Sequence, residues 1–587
     1  MSLDTDILII GAGMSGVGFA IQLQKQHPQA KYEIIEKAND LGGTWWVNTY
    51  PGCGCDVASH FYSYSFELNP NWTRKFALQP EIITYFRSVA EKHDVPRRIT
   101  FRSMVQKAEF DERTGTWLVT ILDQKTGEIY QKRARVLVSA VGALSVPKEC
   151  EIKGAEKYRG TMFHSAKWDH GFDWTGKEVV VVGNGCSATQ FVPILTSGPG
   201  KVKKLVQFSR QPHWLAERPN PIYSPAFKFT MRYVPFAMRL YRFYLYYLME
   251  KDFFGFDIVT GSKIRQNLQK TQIDYLKRTA PEKYHDALIP KTEIGCKRKV
   301  MDTDYLACLH RENMELVYAD PIEEITENGV RTKSGREVYA EAIILANGFK
   351  TQQVLHPLDI RGEGGVSLNE HWNTFSSGAP QAYYGTCVSQ FPNFFIMMGP
   401  NTATGHLSVI YSTECQINFT LRVLKPVLSS LYPPFWKSPF AKLGLGSAGP
   451  DTVAVTPSAE ENDNTWIQKM AKKLVWASGC TSWYVDENGR NTMLYPDWQF
   501  KYWLRSIFVP LNRDFVFGRS AVRLQTKEEG SVSEKKRARK ASLGIRQGIV
   551  LASALGLTIS VILSVNMERG KADGYISAFR RAVGFVV

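Results

Sequence analysis

The sequence predicts an α/β fold with two Rossmann-like dinucleotide-binding domains, a helical insertion and a single C-terminal transmembrane helix. Two glycine-rich turns, at 11–16 and 183–188, each follow a short apolar run and precede a helical pattern, which is the order of strand, turn and helix in a parallel sheet. The third observation is an uncharged stretch of twenty residues at 548–567. A helix of about 20 apolar residues matches the hydrocarbon thickness of a bilayer.

Composition and charge are those of a large globular protein. Of 587 residues, 44% are hydrophobic and 22% are charged, which excludes disordered, collagen-like and disulfide-scaffold chains and predicts two or three domains. None of the nine cysteines stands in a C-x-x-C sequence, so we expect neither a thiol redox motif nor a metal site. The net charge of +16 favours acidic partners, but no nucleic-acid module is recognised, so we do not expect nucleic acid to bind.

The first glycine-rich turn predicts a site for FAD. An apolar strand at 6–10 leads into Gly11, Gly13 and Gly16 of a G-x-G-x-x-G sequence, and the next strand ends at Glu36. The glycines permit a tight turn and let the backbone approach a pyrophosphate at a helix N-terminus. The Glu36 carboxylate can accept hydrogen bonds from ribose hydroxyls. A motif at the start of the chain is the usual place for FAD when a second nucleotide fold follows.

The second glycine-rich turn predicts a site for NADP. Gly183, Gly185 and Ala188 repeat the pattern, with the alanine that the motif permits at its third glycine position. The following strand, 204–208, leads to Arg210 and not to an acidic residue. A guanidinium suits a ribose 2′-phosphate, whereas an ordinary surface arginine is the alternative. Two dinucleotide sites in one chain indicate an oxidoreductase in which one nucleotide reduces the other.

Tyr158, Gly160, His164 and Trp168 lie in the segment between the two nucleotide folds. Their spacing resembles the F-x-G-x-x-x-H-x-x-x-W-(P/D) fingerprint of Baeyer–Villiger monooxygenases, with Tyr158 in place of phenylalanine. The resemblance extends over about residues 5–520, and it implies that Gly160, His164 and Trp168 couple the two nucleotide domains. Further segments similar to the family are 42–46, 50–52, 62–66, 297–303, 346–349, 399–406 and 482–484.

The resemblance implies an NADPH- and dioxygen-dependent flavin monooxygenase. In that family NADPH reduces FAD, a C4a-peroxyflavin forms, and an oxygen atom is inserted next to a ketone carbonyl to give an ester or lactone. The peroxide must be anionic, and an anion in a dry pocket needs a fixed cation. Arg298 matches the family's active-site arginine, Asp56 matches the aspartate that holds it, and Lys297 matches the lysine at the NADP 2′-phosphate.

The predicted cofactor-binding residues divide between the two nucleotides. Those expected near FAD are Gly11, Gly13, Ser15, Gly16, Glu36, Thr44, Trp45, Asp56 and Tyr62. Those expected near NADP are Gly183, Gly185, Ser187, Ala188, Thr189, Ser209, Arg210 and Lys297. Arg298 and Asp56 are the predicted catalytic residues, and Trp483 either lines the substrate side or belongs to the core.

The motifs also set the expected domain boundaries. A basic cluster precedes the uncharged segment 548–567, so the positive-inside rule predicts a catalytic body on the cytoplasmic side of a membrane; a helix lying on the membrane surface is the alternative. The aromatic and basic residues of 221–256 favour a packed insertion over a second membrane-contacting surface. The expected units are a first part of the FAD domain at 1–150, an NADP domain at 151–335 with a helical insertion at about 219–285, a second part of the FAD domain with substrate-side loops at 336–526, and a basic segment with a membrane anchor at 527–587.

The leading hypothesis is therefore a Baeyer–Villiger monooxygenase that acts on a bulky hydrophobic ketone. Terpenoid, steroid or polyketide ketones of a biosynthetic pathway would suit an aromatic-rich body tethered to a membrane. One alternative is a related flavin monooxygenase that performs N-, S- or C-hydroxylation or epoxidation, which needs no arginine beside the flavin. Another is a non-catalytic, membrane-tethered nucleotide-binding protein, for which an intact catalytic pair would have no use.

Overall fold

Two sheets carry the two glycine-rich turns in the computed structural model, which describes residues 2–432, 449–479, 482–522 and 524. The strands are β1 Thr5–Ile10, β2 Tyr32–Ile35, β3 Ile99–Thr100, β4 Ser103–Asp111, β5 Thr116–Asp123, β6 Ile129–Ser139, β7 Thr161–His164, β8 Glu178–Val182, β9 Lys204–Phe208, β10 Leu215–Ala216, β11 Val300–Met301, β12 Met314–Val317, β13 Ile322–Thr326, β14 Gly329–Thr332, β15 Glu337–Tyr339, β16 Ala342–Leu345, β17 Asp359–Arg361, β18 Phe394–Ile396, β19 Thr452–Val455 and β20 Phe515–Gly518. The α-helices are α1 Met14–Gln26, α2 Thr44–Val47, α3 Gln79–Lys92, α4 Cys186–Leu195, α5 Pro225–Tyr233, α6 Ala237–Glu250, α7 Ser262–Thr279, α8 His285–Leu288, α9 Tyr305–Cys308, α10 Leu368–Ser376, α11 Val409–Leu431, α12 Pro457–Ala471, α13 Gln499–Ile507 and α14 Leu511–Asp514.

The first sheet is built around β1, which runs parallel to β2 on one side and to β6 on the other. Every residue of β1 is buried, as expected for an apolar strand covered on both faces. The strand order is β17-β4-β5-β6-β1-β2-β3, and β18 pairs with the end of β6. Because β1 and β2 are parallel, their carboxyl ends meet at one edge, and the first glycine-rich turn begins there.

The second sheet is entirely parallel, in the order β12-β9-β8-β16-β7. The three central valines of β8, 179–181, are buried, and β8 leads directly into the second glycine-rich turn. β16 comes from much later in the chain and inserts between β8 and β7. The fingerprint segment therefore includes an edge strand, β7, which is paired in this sheet with β16 alone.

The chain between β10 and β11 is mainly helical and contains α5 to α8. α5 begins after Ser224, whose hydroxyl caps the helix by accepting a hydrogen bond from the Phe227 N–H. Arg242 on α6 donates from Nη1 to the carbonyl oxygens of His60 at 2.9 Å and Phe61 at 3.0 Å. This guanidinium fixes the aromatic helix against the loop that follows the predicted FAD-binding segment.

The long helix α11 completes the first sheet's helical cover. It packs closely on α1: a Cβ placed on Gly18 of α1 would lie only 3.3 Å from Cδ1 of Ile417 on α11. The Ser408 hydroxyl caps α11 by accepting a hydrogen bond from the Ile410 N–H at 3.2 Å. The segment 399–406 immediately precedes this cap, so α11 determines where that segment lies.

The α/β part of the predicted fold class is supported, but the predicted transmembrane helix is not. Across the described ranges, no helix is both long enough and apolar enough to cross a membrane. The segment predicted to span, 548–567, lies outside those ranges, and its serine, threonine and asparagine side chains lower its hydropathy. The prediction of a single-pass anchor, with the membrane as partner and a body facing the cytoplasm, is therefore wrong and is withdrawn.

Candidate active site

The first glycine-rich turn forms a close contact between β1, α1 and the end of β6. Gly11 adopts a φ of +103°, and its N–H donates to the Ile35 carbonyl oxygen at 2.8 Å. A Cβ on Gly16 would lie 2.0 Å from the Gly11 carbonyl oxygen. α1 can therefore start directly above the turn only with glycine at both positions, as a nucleotide-binding cradle requires.

Glu36 lies beneath this turn at the end of β2. Its Oε2 accepts a hydrogen bond from the Ala12 N–H at 2.6 Å, and its Oε1 accepts one from the Ala38 N–H at 2.8 Å. The Glu36 carboxylate thus holds the turn in place by accepting a hydrogen bond from its backbone. The position at the strand end and the acceptor character fit the ribose of a bound dinucleotide.

A second loop closes the opposite side of the FAD turn. The Gly42 N–H donates to the Ala12 carbonyl oxygen at 3.0 Å, and a Cβ on Gly43 would lie 2.9 Å from Cα of Gly13. Trp45 Nε1 donates to the Tyr62 hydroxyl at 3.0 Å. Of the other predicted residues, Thr44 is exposed at the start of α2 and Ser15 is buried with its Oγ 3.4 Å from the Thr413 Oγ1.

The second glycine-rich turn is open towards a ligand. Gly183 adopts a φ of +110°, and a Cβ there would lie 2.4 Å from the Ala346 carbonyl oxygen. In contrast, a Cβ on Gly185 would meet no described atom within 4 Å, so a pyrophosphate has room to approach the backbone. Ser187 is half-buried in the first turn of α4, whereas Ala188 and Thr189 are buried within the helix, where they serve packing.

Two cations meet at the predicted 2′-phosphate corner. Burial, and then the nearby Arg210, lower the pKa of Lys297 below its ordinary value. Lys297 Nζ donates to Gln211 Oε1 at 2.5 Å. Burial and Lys297 lower the pKa of His213 to about 4. The Ser209 N–H donates to the carbonyl oxygen of Val317 on β12 at 2.9 Å. Gln211 and His213 escaped the sequence reasoning, although their position after β9 could have pointed to them.

Arg298 and Asp56 form a two-point ion pair, although they are 242 positions apart in the chain. Arg298 Nε donates to Asp56 Oδ2 at 2.7 Å, and Nη2 donates to Oδ1 at 3.1 Å. Nη1 donates to the Thr404 carbonyl oxygen at 3.2 Å. The side chains of Arg298 and Asp56 are 23% and 28% exposed, so the pair is neither sealed in the core nor in bulk solvent. Three separate segments of the chain thus hold one guanidinium.

The pair keeps both charges. Burial raises the pKa of Asp56, but the adjacent Arg298, through its charge and its hydrogen bonds, holds it below the ordinary value. Burial lowers the pKa of Arg298, and the Asp56 carboxylate more than reverses this and raises it. A permanent positive charge beside the two nucleotide sites is the arrangement that stabilises a developing anion.

Tyr484 lies beside this pair and was not singled out from sequence. It is fully buried, and its hydroxyl makes no hydrogen bond of good geometry within the described part of the chain, although the Arg298 backbone N–H lies near it. Burial raises the pKa of Tyr484, while the nearby Arg298 opposes this. Its neighbour Trp483 is 39% exposed, so Trp483 lies towards solvent and is not part of the core. A buried hydroxyl without a partner is unfavourable unless a ligand completes it.

The fingerprint residues connect the second sheet to its return strand. His164 Nε2 lies 3.1 Å from the Gly348 carbonyl oxygen, and Nδ1 accepts the Ala166 N–H at 3.0 Å. Nε2 must therefore carry the proton, and burial lowers the pKa of His164. Trp168 packs edge-on against Phe163 with ring centroids 5.2 Å apart. This arrangement gives His164 no free nitrogen for use as a general base.

Gly160 and Tyr158 account for the first position of the fingerprint. A Cβ on Gly160 would lie 2.3 Å from the Tyr158 hydroxyl, so only glycine fits. The Tyr158 hydroxyl, which a phenylalanine would lack, donates to the Ala340 carbonyl oxygen at 2.8 Å. The departure from the family pattern thus adds a hydrogen bond between the fingerprint and the segment before β16.

Gln190 on α4 joins the two nucleotide folds. Its Oε1 accepts hydrogen bonds from the Tyr50 hydroxyl at 3.0 Å and the Gly54 N–H at 3.2 Å, and its Nε2 donates to the Gly54 carbonyl oxygen at 3.1 Å. The loop 50–56 leads directly to Asp56. One amide therefore ties the helix at the second turn to the loop that carries Asp56.

Known proteins are similar to this chain over most of its length. A Baeyer–Villiger monooxygenase from Pseudomonas aeruginosa is 35% identical over 500 residues, which are 84% of this chain and 88% of the relative. The FAD-binding monooxygenase ktnD from Aspergillus niger is 34% identical over 514 residues, which are 84% of this chain and 79% of the relative. A structure of an oxidised steroid monooxygenase bound to NADP matches with a TM-score of 0.72 and 25% identity, and it covers 88% of this chain and 99% of that chain.

Two family models match parts of the chain. The model for an NAD(P)-binding Rossmann-like domain matches residues 9–77. The model for L-lysine 6-monooxygenase/L-ornithine 5-monooxygenase matches residues 60–238. The first match lies within the first nucleotide fold, and the second runs from there through the second glycine-rich turn into the helical insertion; neither includes Arg298.

Two nucleotide folds joined by a half-buried arginine–aspartate pair define a flavin- and nicotinamide-dependent oxidoreductase. The identity of 35% over most of both chains assigns it further: the chain belongs to the Baeyer–Villiger monooxygenases. It is an FAD-dependent monooxygenase that uses NADPH and dioxygen to insert an oxygen atom next to a ketone carbonyl. The predictions of family, enzyme class and cofactors are confirmed.

Proposed function

We propose that Arg298, held by Asp56, is the fixed cation at the reacting centre, and that the enzyme converts a bulky hydrophobic ketone to an ester or lactone. The observation that carries the proposal is the two-point ion pair, with Nε and Nη2 of Arg298 on the two oxygens of Asp56. The glycine cradles of both turns fit FAD and NADP. When bound, FAD reduced by NADPH activates dioxygen and supplies the inserted oxygen.

Arg298 has hydrogen-bond donors left for the reacting oxygens. A guanidinium carries five N–H groups, and two of them bind Asp56 while a third binds the Thr404 carbonyl oxygen. The remaining N–H groups, one each on Nη1 and Nη2, can donate to a negatively charged oxygen and then to the oxyanion of the tetrahedral adduct. Removal of one comparable donor costs about 10²–10³ in rate in other enzymes.

Asp56 has a positioning role in this proposal. It occupies the Nε/Nη2 edge of Arg298, so the opposite edge of the guanidinium faces the reacting centre. Because Arg298 lowers the pKa of Asp56, the carboxylate stays ionised at neutral pH. An asparagine at position 56 would keep the shape of the side chain, but its neutral amide would bind the Arg298 guanidinium more weakly.

Selection of NADPH over NADH is assigned to the corner formed by Arg210 and Lys297. The two cations are close enough for Arg210 to lower the pKa of Lys297, and a phosphate dianion would relieve this repulsion. Ser209 and Gln211 supply polar groups around them, and the low pKa of His213 keeps this residue neutral. The structure of the NADP-bound steroid monooxygenase supports the cofactor, and the cation pair supports its phosphorylated form.

The coupling role of Gly160, His164 and Trp168 remains part of the proposal. These residues fix the edge strand β7 to the return segment around Gly348, at the junction between the proposed NADP domain, 151–335, and the second part of the FAD domain, 336–526. His164 acts there as a neutral hydrogen-bond donor. A rotation between the two domains would have to pass through this junction.

The substrate class follows from the apolar surroundings of the pair. Phe253, Phe256, Trp476, Tyr484 and Met493 belong to one buried cluster, and Phe256 approaches the chain next to Thr404, with its ring 3.3 Å from a Cβ placed on Gly405. A large apolar ketone such as a terpenoid, steroid or polyketide suits such walls, and the likeness to a steroid monooxygenase agrees. We assign the enzyme to a biosynthetic pathway for such compounds.

The test is product analysis with purified, FAD-containing protein. A panel of cyclic and steroid ketones, one amine and one sulfide is incubated with NADPH, and each product is examined by mass spectrometry for one added oxygen atom. Ester or lactone from a ketone is the expected result. N-hydroxylation of the amine alone would favour the chemistry named by the lysine and ornithine monooxygenase model and overturn the proposal.

A further inference from the structure

We propose that Thr404, His406 and Glu250 form a hydrogen-bonded chain that positions the Arg298 guanidinium. The inference rests on the proposed function, because it explains how the cation assigned to the reacting centre is held on its second side. Asp56 holds the Nε/Nη2 edge, whereas the Thr404 carbonyl oxygen accepts from Nη1 at 3.2 Å. Whatever fixes Thr404 therefore fixes the part of Arg298 that points to the reaction.

The contacts run without a break from Arg298 to the helical insertion. The Thr404 Oγ1 accepts the His406 N–H at 3.2 Å and the Leu407 N–H at 2.9 Å. The same Oγ1 lies 3.2 Å from His406 Nδ1. His406 Nε2 lies 3.2 Å from Glu250 Oε2, and Glu250 is the last residue of α6.

One proton arrangement satisfies every contact of this set. Glu250 Oε1 accepts two backbone N–H groups, from Gln499 at 2.7 Å and Phe500 at 3.3 Å, and an ionised carboxylate also accepts at Oε2. With Glu250 as the acceptor, His406 Nε2 donates to Oε2. The Thr404 hydroxyl already accepts twice, so its own proton goes to the lone pair on His406 Nδ1. Both ring nitrogens of His406 and both oxygens of Glu250 then have a partner.

Burial makes this chain stiff. The His406 and Glu250 side chains are only 4% and 7% exposed. The His406 ring is enclosed by Phe253 and Phe256, with centroids 5.7 Å and 5.4 Å away. In such surroundings a broken hydrogen bond has no water to replace it, so these hydrogen bonds resist rearrangement.

The same Glu250 caps the N-terminus of α13 through Gln499 and Phe500. The hydrogen-bonded series therefore joins the helical insertion, α13 and the segment 399–406 at the Glu250 carboxylate. A misplaced guanidinium would leave NADPH binding intact but weaken control of the activated oxygen. The balanced side reaction is NADPH + H⁺ + O₂ → NADP⁺ + H₂O₂, which yields peroxide and no ester.

Three substitutions separate positioning from packing. His406→Gln can reach Glu250 but loses the acceptor for the Thr404 hydroxyl, whereas His406→Asn keeps an acceptor oxygen near the Nδ1 position and loses Glu250. Glu250→Gln presents an amide N–H to His406 Nε2, which must then accept. The ring proton moves to Nδ1, so the Thr404 hydroxyl loses its acceptor. The exposed His310, whose Nε2 lies 3.1 Å from the Thr279 carbonyl oxygen, supplies the matched control His310→Gln.

Each variant is purified with FAD, and its melting temperature, KM for NADPH, peroxide release without ketone and ester yield per NADPH are measured. We expect His406→Gln, His406→Asn and Glu250→Gln, each of which breaks one contact of the series, to raise the ketone-free peroxide rate about tenfold at an unchanged KM for NADPH, and His310→Gln to stay near wild type. Wild-type release from both His406→Gln and Glu250→Gln, or an equal rise in the control His310→Gln, overturns the inference. Failure of the wild type to oxidise any ketone overturns the proposed function instead, because the peroxide rate is read without ketone.

Discussion

Arg298 binds Asp56 through two parallel hydrogen bonds, Nε to Oδ2 at 2.7 Å and Nη2 to Oδ1 at 3.1 Å. The two residues come from different nucleotide-binding segments, so the pair forms only when both folds are in place. A lysine could not reproduce it, because an ammonium has no planar edge to match a carboxylate. The geometry of this pair leads to the first two predictions.

Replacement of Arg298 should strongly lower ester formation while sparing flavin reduction. We expect Arg298→Ala and Arg298→Lys to lower kcat for the ketone by about 10²–10³, since the donor to the oxyanion is lost, with NADPH oxidation retained as peroxide production. Ester yield per NADPH checks this. Arg278, which is 58% exposed and paired with Glu217, provides the control Arg278→Ala. Undiminished ester yield from Arg298→Ala would refute the role.

Replacement of Asp56 should change the acid side of the stability profile. Because the folded-state pKa of Asp56 is depressed, its contribution to stability is complete above the unfolded value and is lost as pH falls through the folded one. Asp56→Asn lacks this contribution at every pH. The difference in melting temperature between wild type and Asp56→Asn should therefore be constant near neutral pH and shrink below about pH 4. A difference that grows on acidification would contradict the ionised pair.

The cation corner predicts nucleotide selectivity. Arg210→Ala and Lys297→Ala should each raise the KM for NADPH by about 10–100-fold while leaving the KM for NADH unchanged, because only NADPH carries the phosphate. Steady-state NAD(P)H oxidation measures both constants. Lys299, next in the chain but paired with Asp252 and 47% exposed, gives the control Lys299→Ala. Parallel losses for both nucleotides would contradict recognition of the phosphate.

The open space at Gly185 predicts a variant that folds but binds NADPH poorly. Its backbone is in an ordinary extended conformation, with a φ of −77°, and a Cβ there has no described atom within 4 Å. Gly185→Ala should keep FAD and its melting temperature, yet raise the KM for NADPH about tenfold or more by steric conflict with the pyrophosphate. Gly16→Ala should instead lose FAD and stability. Similar behaviour of the two variants would count against this assignment.

The unpartnered hydroxyl of Tyr484 predicts a separation of stability from activity. Tyr484→Phe should leave the melting temperature unchanged or higher, since no hydrogen bond of good geometry is lost within the described part of the chain, and it should lower kcat about tenfold because the hydroxyl is available to a ligand. Tyr502 is the matched control, because its buried hydroxyl donates to the Tyr384 carbonyl oxygen at 3.2 Å. Tyr502→Phe should destabilise by about 1–3 kcal/mol. Wild-type turnover of Tyr484→Phe would assign the hydroxyl to packing.

Local motifs made the nucleotide folds predictable. The run of apolar residues before Gly11 and Gly183 determines both strand and turn, because the turn needs positive φ values and a close helix at fixed positions. Arg298 and Asp56 were predicted through family resemblance, and the structure brings them together. Their chemical roles stay proposals, since geometry shows contact and not turnover.

Longer-range contacts were beyond the sequence. Glu250 and His406 are 156 positions apart, and no local pattern reports that α6 ends beside the segment before α11. Thr404 contacts Arg298 through a backbone carbonyl, which any residue type could supply. The transmembrane prediction failed for a related reason: the count of uncharged residues at 548–567 describes composition, and composition alone does not establish a spanning helix.

Gln190 gives the architecture a mechanical consequence. Its amide binds the loop that leads to Asp56. The same loop is also held next to α3, because the Cys55 N–H donates to the Ala77 carbonyl oxygen at 3.1 Å. A displacement of α4 relative to α3 would therefore have to break one of these two sets of hydrogen bonds.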